Sequence, residues 1–597
     1  MRGAMKKISL VVILVLISVV IFGCLSVSAA NMDFVDGSFL WQEDSYLLGI
    51  PAKSLSVFVE SNFESDNVTI KNKEGNQFSE SSYVGTGATV YSARELTVVV
   101  YGDVNGEGRV TTVDYILMKK AISDTDILQG AYKKAADVNQ DGQIAAADYM
   151  MVKKSMGGTV DLYKGTSITP YQSEYKKEEY DTSNYRMDRS KINIGVYGWQ
   201  KGTDSVFLQD SYFNDYKNNF GGDFIVAGTN SAKYYKFCEK YGIGFFAREK
   251  NLPRYTYGSA PERLDPTSFT DVESSLADYN DNYTYLWGDD VFDEPVADYF
   301  DWMAGVKTRY DAKFTDRFVF YNLNPVAPNG VTNGHGAADY RDYIRQYVNK
   351  IDTDFICFDI YPFNNQFNGM HPYYLENLDV VSTACRETGR DFWIITQTGS
   401  TAEEYKMTAA QLQWQSYTAL AYGAKTIIYA SYMPWWWVDN TCMVNKDGTK
   451  TDLWSAGKDC NEVIHTLSPV YMEYEHLGVS TIPGTTFLTK SQLRLQSRRN
   501  EARGYGGIRG FSDVESENGI IIGSFEKKDG NGYAMMLVES CDPYDMTVFS
   551  TVTFKVADSS CSKVTAYPDG KPQVLTAVDG VYSVELESGQ GLFVTVE

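Results

Sequence analysis

The chain has 597 residues and a formal net charge of -23, with 54 basic against 77 acidic side chains. So acidic a polymer repels phosphate backbones, which excludes nucleic acid as a ligand. Its four histidines, His335, His371, His465 and His476, show no His-x-x-x-His spacing and no Cys-x-x-Cys accompanies them, so neither a catalytic transition metal nor a redox or nucleotide cofactor is expected.

The first thirty residues carry Lys6 and Lys7, a mostly apolar run from Ile8 to Phe22, and small residues ending in Ser28-Ala29-Ala30. That order describes a secretory signal, residues 1–30, with cleavage expected after Ala30. Ile21-Phe22-Gly23-Cys24 partly matches a lipoprotein box, which leaves lipid anchoring at Cys24 as the minor alternative. No later run reaches the roughly 18 apolar residues that span a bilayer. The mature chain is therefore expected to be secreted and extracellular, without a membrane span. Residues 31–100 alternate in short segments, Ser56–Glu60, Asn67–Lys71 and Leu96–Tyr101, between Gly and Asn turns. They predict a small β-module.

Two copies of one pattern follow. The first runs Asp103-Val-Asn105-Gly-Glu107-Gly108 and closes on Asp114; the second runs Asp137-Val-Asn139-Gln-Asp141-Gly142 and closes on Asp148. Calcium takes six to eight oxygens, and a twelve-residue loop offers them from positions 1, 3, 5, 7, 9 and 12, with glycine at position 6 for the sharp turn. The expected ligands are Asp103, Asn105, Glu107, the Arg109 carbonyl and Asp114, with Thr111 at the water-mediated position, then Asp137, Asn139, Asp141, the Gln143 carbonyl and Asp148. Position 12 is Asp rather than Glu, and each loop precedes one helix without a clear helix before it. The duplicated pattern resembles a type I dockerin over residues 101–160. That resemblance implies an all-α calcium-binding domain, two Ca2+ ions and a cohesin module of a scaffold protein as partner. It also implies partner contacts at Thr112, Val113, Lys119 and Lys120, mirrored by Ala146, Ala147, Lys153 and Lys154. A calcium-stabilised spacer with no partner is the alternative.

Residues 161–190 read as a polar linker. From Lys191 eight apolar runs recur, most separated by helical stretches: Ile194–Trp199, Asp223–Ala227, Gly242–Phe246, Tyr283–Trp287, Arg317–Tyr321, Phe355–Asp359, Phe392–Thr396 and Thr426–Ser431. Eight strands alternating with helices predict a (β/α)8 TIM barrel as catalytic domain over residues 191–480. Cys238, Cys357 and Cys385 sit in apolar contexts and are expected to behave as core hydrophobes. Further alternating runs, Gly519–Gly523, Tyr533–Val538 and Gly591–Val596, predict a C-terminal β-sandwich over residues 481–597.

Barrel active sites lie beyond the C-terminal ends of the strands. There the sequence places Asp293-Glu294-Pro295 after the fourth run, Asn322-Leu-Asn324 after the fifth, Asp359 and Tyr361 at the sixth, Gln397 after the seventh, and Tyr432 with Trp435-Trp436-Trp437 after the eighth. Acids, amides and aromatics around one mouth suit glycoside hydrolysis. Asp293-Glu294-Pro295 is similar to the Asn-Glu-Pro of retaining (β/α)8 glycoside hydrolases, where that Glu is the acid/base. The segment Phe392–Gly399 resembles the one that carries their nucleophilic Glu, yet here the residue is Gln397.

Three solutions stay open. The adjacent Asp293 and Glu294 also resemble substrate-assisted hexosaminidases; Asp359 would serve as the second carboxylate across the mouth; or the barrel binds glycan and cleaves nothing. The expected catalytic residues are Glu294, Asp293 and Asp359, and the expected sugar contacts are Asn324, Tyr361, Gln397, Tyr432 and Trp435. The whole reads as a secreted glycoside hydrolase acting on polysaccharide or glycan, with a non-catalytic carbohydrate-binding component as the rival.

Overall fold

The computed structural model chiefly describes residues 40–156 and 175–597, apart from gaps of which the longest are 200–206, 248–282, 327–335 and 489–507. The signal segment with Cys24, and residues 161 and 163–174 of the expected linker, lie outside the described residues. The chain divides into two units, Met1–Ile168 and Thr169–Glu597.

In the first unit a five-stranded sheet runs in the order Trp41–Glu43, Tyr46–Leu48, Glu95–Val98, Thr89–Tyr91, Thr69–Lys71. Leu47, Ile70, Val90, Leu96 and Val98 form its core. Ser56–Glu60, expected as a strand, is a short helix. Val59 of this helix is buried in that core together with Phe63, which lies beyond the helix in a bridge to Phe34, so packing overrides the β propensity of Val-Phe-Val. Between 101 and 156 the described elements are helices, Thr112–Ser123, Gly130–Ala136 and Ala146–Met156. Met118, Ala121, Ala135 and Val152 from these helices are buried together with Leu48 of the sheet and with Val99 and Tyr101, just past its strand Glu95–Val98. Tyr115 and Tyr149, at the same offset from the two loops, stack at 4.2 Å.

The second unit is built on eight parallel strands: β1 Asn193–Tyr197, β2 Phe224–Val226, β3 Gly244–Ala247, β4 Leu286–Asp293, β5 Phe318–Asn322, β6 Phe355–Asp359, β7 Asp391–Gln397 and β8 Ala424–Ala430. They pair in the order β5-β4-β3-β2-β1-β8-β7-β6. The circle closes where the Leu323 amide donates to the Cys357 carbonyl at 2.9 Å and Leu323 bridges Phe358. Helices follow β1, β2, β4, β5, β6, β7 and β8 among the described residues. Cys238, Cys357 and Cys385 are buried in the core. One boundary differs in substance from the expectation. β4 continues through Asp289 and Asp290, both buried, to Asp293. The Tyr310 hydroxyl, on the helix after β4, donates to Asp289 at 2.8 Å, which gives the acid a partner inside the strand layer.

Aromatic rings from strands that are not neighbours meet in the barrel interior, where Phe224 of β2 and Phe318 of β5 both contact Trp393 of β7, and Phe318 also contacts Phe355 across the β5–β6 seam. Such contacts fix which side chains point inward. Counting in twos from Phe318 and Phe355, Asn322 and Asp359 also face inward, at the C-terminal ends of β5 and β6. At the opposite end Arg189 closes the floor, hydrogen-bonded to Asp354 and Asp391, with its guanidinium 5.5 Å from the Phe318 ring centre and 5.8 Å from that of Trp393.

After the barrel come two antiparallel sheets. One has six strands in the order Tyr474–Ile482, Ile520–Lys527, Tyr533–Glu539, Gly591–Val596, Val564–Ala566, Gln573–Val574; the other has Phe511–Glu515, Phe549–Val556, Tyr582–Glu587. Ile520, Ile522, Met535 and Leu537 share a cluster with Val552, Phe554 and Leu586 of the smaller sheet. The alternate residues Ile521, Phe525, Met536 and Val538 join the barrel core instead. Period-two alternation thus buries both faces of the larger sheet.

Candidate active site

At the mouth of the barrel, three acids and one amide from consecutive strands come together. The Asn322 Nδ2 group donates to Asp293 Oδ1 at 2.9 Å and to Asp359 Oδ1 at 3.1 Å, and the Asn322 carbonyl accepts the Glu294 amide at 2.7 Å. Asn322 and Asp293 are register partners across β5 and β4. Glu294, just past the end of β4, has a left-handed backbone with φ 49°. For a residue with a Cβ that conformation costs about 1–3 kcal/mol and persists only where surrounding contacts enforce it. Here the enforcement is visible. Asn324 Nδ2 donates to the carbonyls of Glu294 at 2.7 Å and Pro295 at 3.1 Å, and the Tyr343 hydroxyl donates to the Pro295 carbonyl at 2.6 Å.

The electrostatics follow from that crowding. Glu294 is half-buried, and loss of solvent, then the charges of Asp359 and Asp293, push its carboxyl up to about 9. Asp359, 5% exposed, is pushed up to about 7 by burial first and by Asp293 second, opposed by hydrogen bonds from Tyr361 and Asn322. Three carboxyls in one small space cannot all be ionised cheaply, and burial favours the protonated form of both Glu294 and Asp359, of Glu294 the more. A carboxylic acid that keeps its proton at neutral pH is what protonation of a leaving group requires.

Aromatic side chains border the acids. The Tyr361 ring meets Trp437 edge-on at 5.2 Å, and Trp437 Nε1 donates to the Ala430 carbonyl at the end of β8 at 2.7 Å. Trp436 is 36% exposed and lies 6.2 Å from Tyr197 at the end of β1. Trp435 is half-buried over Gly198, where an added Cβ would come within 2.8 Å of its ring.

Five residues expected to touch sugar therefore separate. Tyr361 and Trp435 are at the mouth. Asn324 is buried and holds the turn after β4. Tyr432 belongs to the core: it stacks on Trp199 at 5.6 Å, and its hydroxyl accepts from Trp454 Nε1 at 2.8 Å. Gln397 is 1% exposed, with Oε1 accepting the Phe363 amide at 2.9 Å and Nε2 donating to the carbonyls of Phe363 and Gly399. Both of its N–H donors and its oxygen are thus bonded to backbone at a buried position. Asn322 and Trp436, which the sequence places at the mouth, were not among the expected site residues. For Asn322 the signal was the first Asn of Asn-Leu-Asn, whose inward parity could be counted from Phe318.

In the first unit both calcium-type loops have left-handed residues at positions 4 and 6: Gly106 at φ 80° and Gly108 at 76°, Gln140 at 59° and Gly142 at 85°. Position 1 is handled alike in each. Asp103 accepts the amides of Gly106, Glu107 and Gly108, and Asp137 those of Asp141 and Gly142. Asp114 and Asp148, at position 12, are buried and reach back to the amides of Asn105 and Asn139 at 3.2 and 3.0 Å. Among the described residues no three His, Cys, Asp or Glu side chains converge as a ready cluster. Each loop instead combines three carboxylates with amide and carbonyl oxygens around a shared turn, a hard-oxygen donor set that fits calcium. Thr112, Val113, Lys119, Lys120, Ala146, Ala147, Lys153 and Lys154 are all exposed.

Residues 101–157 match the dockerin type I domain family. No curated protein matches the chain. Among solved structures, the α-L-fucosidase isoenzyme 2 of Paenibacillus thiaminolyticus aligns at 10% identity and TM-score 0.41 over 68% of this chain and 99% of that one. A glycoside hydrolase family 5 protein of Bacteroides vulgatus aligns at 10% and 0.40 over 70% and 95%. A cycloisomaltooligosaccharide glucanotransferase of a Paenibacillus species aligns at 9% and 0.42 over 70% and 85%. Likeness at this level says nothing about substrate or reaction.

Proposed function

We propose that the chain is a secreted glycoside hydrolase whose all-α dockerin, holding two calcium ions, docks it to a cohesin module of a scaffold protein. Its (β/α)8 barrel acts on polysaccharide or glycan, and the two C-terminal sheets form a β-sandwich beside it. The observation that carries the reading is Glu294, held in a left-handed turn against Asp293 and Asp359 so that it keeps its proton at neutral pH. Glu294 is the general acid. Asp293, half-buried and oriented by Asn322, is the carboxylate a substrate can reach, while Asp359 acts from behind it through Asn322 and Tyr361. Tyr361, Trp435 and Trp436 offer ring faces to sugar. In the dockerin, Asp103, Asn105, Glu107, Asp114 and the Arg109 carbonyl hold one ion, and Asp137, Asn139, Asp141, Asp148 and the Gln143 carbonyl the other.

The rival is a barrel that binds glycan without cleaving it, favoured by the amide at position 397 where a carboxylate nucleophile would stand. The two separate in one experiment. The full chain is screened against polysaccharides and aryl glycosides, with Asp293→Asn and Asp359→Asn alongside. Release of sugar that Asp293→Asn abolishes supports hydrolysis. Binding without release by the unmodified chain sinks it.

A further inference from the structure

The two calcium-type loops offer the same ligands, yet their surroundings differ. Against the first lies a segment of the sheet module, residues 83–87. The Thr86 amide donates to Asp103 Oδ2 at 2.8 Å, adding an outside donor to the three the loop supplies itself. Lys73 Nζ donates to the Asn105 carbonyl at 2.8 Å, and the Arg109 guanidinium sits 4.6 Å from the centre of the Tyr83 ring. The fit is close. A Cβ on Gly85 would stand 2.4 Å from the Gly106 carbonyl oxygen, one on Gly106 2.6 Å from the Thr86 carbonyl oxygen, and one on Gly108 2.8 Å from the Tyr83 Cβ. Around the second loop nothing lies within 4 Å of a Cβ added to Gly142, and Gln140, Asp141, Gly142 and Gln143 are exposed.

This contrast accounts for a difference in sequence. Both loops are left-handed at position 4, where glycine is at ease and other residues are strained. The second loop nevertheless accepts Gln140 there, whereas the first has Gly106, whose Cβ the Thr86 carbonyl forbids. Ligand charge does not distinguish the loops, since Asp103, Glu107 and Asp114 face Asp137, Asp141 and Asp148. Rigidity does, and rigidity is one of the two variables that set the affinity of such loops. A loop already held loses less conformational freedom when an ion binds. The added amide on Asp103 fixes the carboxylate without bringing a positive charge, whereas the Lys73 ammonium on the Asn105 carbonyl opposes a cation, so the tighter binding is attributed to residues 83–87 and not to Lys73.

We propose that residues 83–87 brace the first loop, so that the chain binds its two calcium ions unequally, the first loop at least tenfold more tightly than the second. The inference rests on the reading of both loops as calcium sites.

Calcium is titrated calorimetrically into the full chain after chelator treatment, beside Asp137→Ala, Tyr83→Ala and Tyr83→Leu. Two binding steps separated by tenfold or more are expected. Asp137→Ala should remove the weaker step and leave the tighter one. Tyr83→Ala should weaken the tighter step at least threefold without moving the other. If circular dichroism shows that Tyr83→Ala has lost its fold, Tyr83→Leu, which keeps an apolar side chain and changes no charge but removes the ring beside the Arg109 guanidinium, is read in its place for a weakening of the same step. Equal affinities, loss of the tighter step in Asp137→Ala, or a folded brace variant with both steps unmoved would each overturn the brace while leaving the calcium sites standing. Absence of any calcium heat overturns both.

Discussion

Replacing Glu294 by Gln should make the protein more stable at neutral pH and at the same time a poorer catalyst. Glu294 goes from an ordinary carboxyl at 4.5 to about 9 on folding. A carboxyl whose value rises on folding leaves stability intact below its unfolded value, and stability is lost as the pH climbs from about 4.5 toward about 9. At pH 7 the unfolded chain has released this proton and the folded chain has kept it. The difference of 2.5 units corresponds to about 3 kcal/mol. Partial solvent access to this half-buried group makes that an upper figure. Gln has the same shape and no proton to lose, so the variant escapes the penalty. In a unit of this size the gain amounts to a few degrees in melting temperature. Scanning calorimetry of both proteins at pH 5 and pH 8 reads it: the two should nearly coincide at pH 5, with Glu294→Gln melting higher at pH 8. Turnover on whatever glycan the screen identifies should fall by about 10²–10⁴-fold. A variant that melts lower at pH 8, or a gap that does not widen between the two pH values, would refute the placement of the proton.

Two further substitutions test neighbouring parts of the argument. Gln397→Glu would set a carboxylate against the carbonyl oxygens of Phe363 and Gly399 and withdraw the two donor bonds Gln397 now makes; it should destabilise by several kcal/mol in thermal melts and add no hydrolytic activity, whereas a gain in rate would mean that position 397 faces the substrate after all. Arg189→Met would leave Asp354 and Asp391 buried without their main cation and should cost about 3–5 kcal/mol in the same assay. An unchanged melting temperature would show that the floor of the barrel does not depend on that pair.

The barrel was legible because each of its strands is an apolar run of the right length, and parallel strands buried on both faces read that way. Ser56–Glu60 was not legible: its residues favour strands, and only the packing of Val59 into the core of the sheet module, which no local pattern shows, accompanies the helix. The acids at the mouth were found from their position after a strand, but the roles around them depended on distances no sequence gives. Asn324 and Gln397 carry the amide chemistry that sugar contacts use, and that chemistry serves backbone instead. Trp435 and Trp436 are adjacent and chemically identical. Only the close approach of Gly198 decides which of the two is packed and which is exposed.

The acid cluster also bears on why the barrel holds together. β5 and β6 meet at the closing seam, where the described backbone pairing is a single bridge at Leu323. The Asn322 side chain crosses that same seam to Asp359 and reaches Asp293 on the other side. One amide thus joins three strands at the point where the ladder is thinnest, and its partners are the groups that a hydrolase would need ionised. A hydrogen bond to a charged acceptor contributes about 1.5–3 kcal/mol against about 1 for a neutral one, so Asn322 closes the seam best when the aspartates are ionised. Ionised aspartates in turn keep the proton on Glu294. Burial of Asp359 opposes its ionisation while the Asn322 amide favours it, so closing the seam offsets part of what it costs to crowd three carboxyls beside a left-handed glutamate.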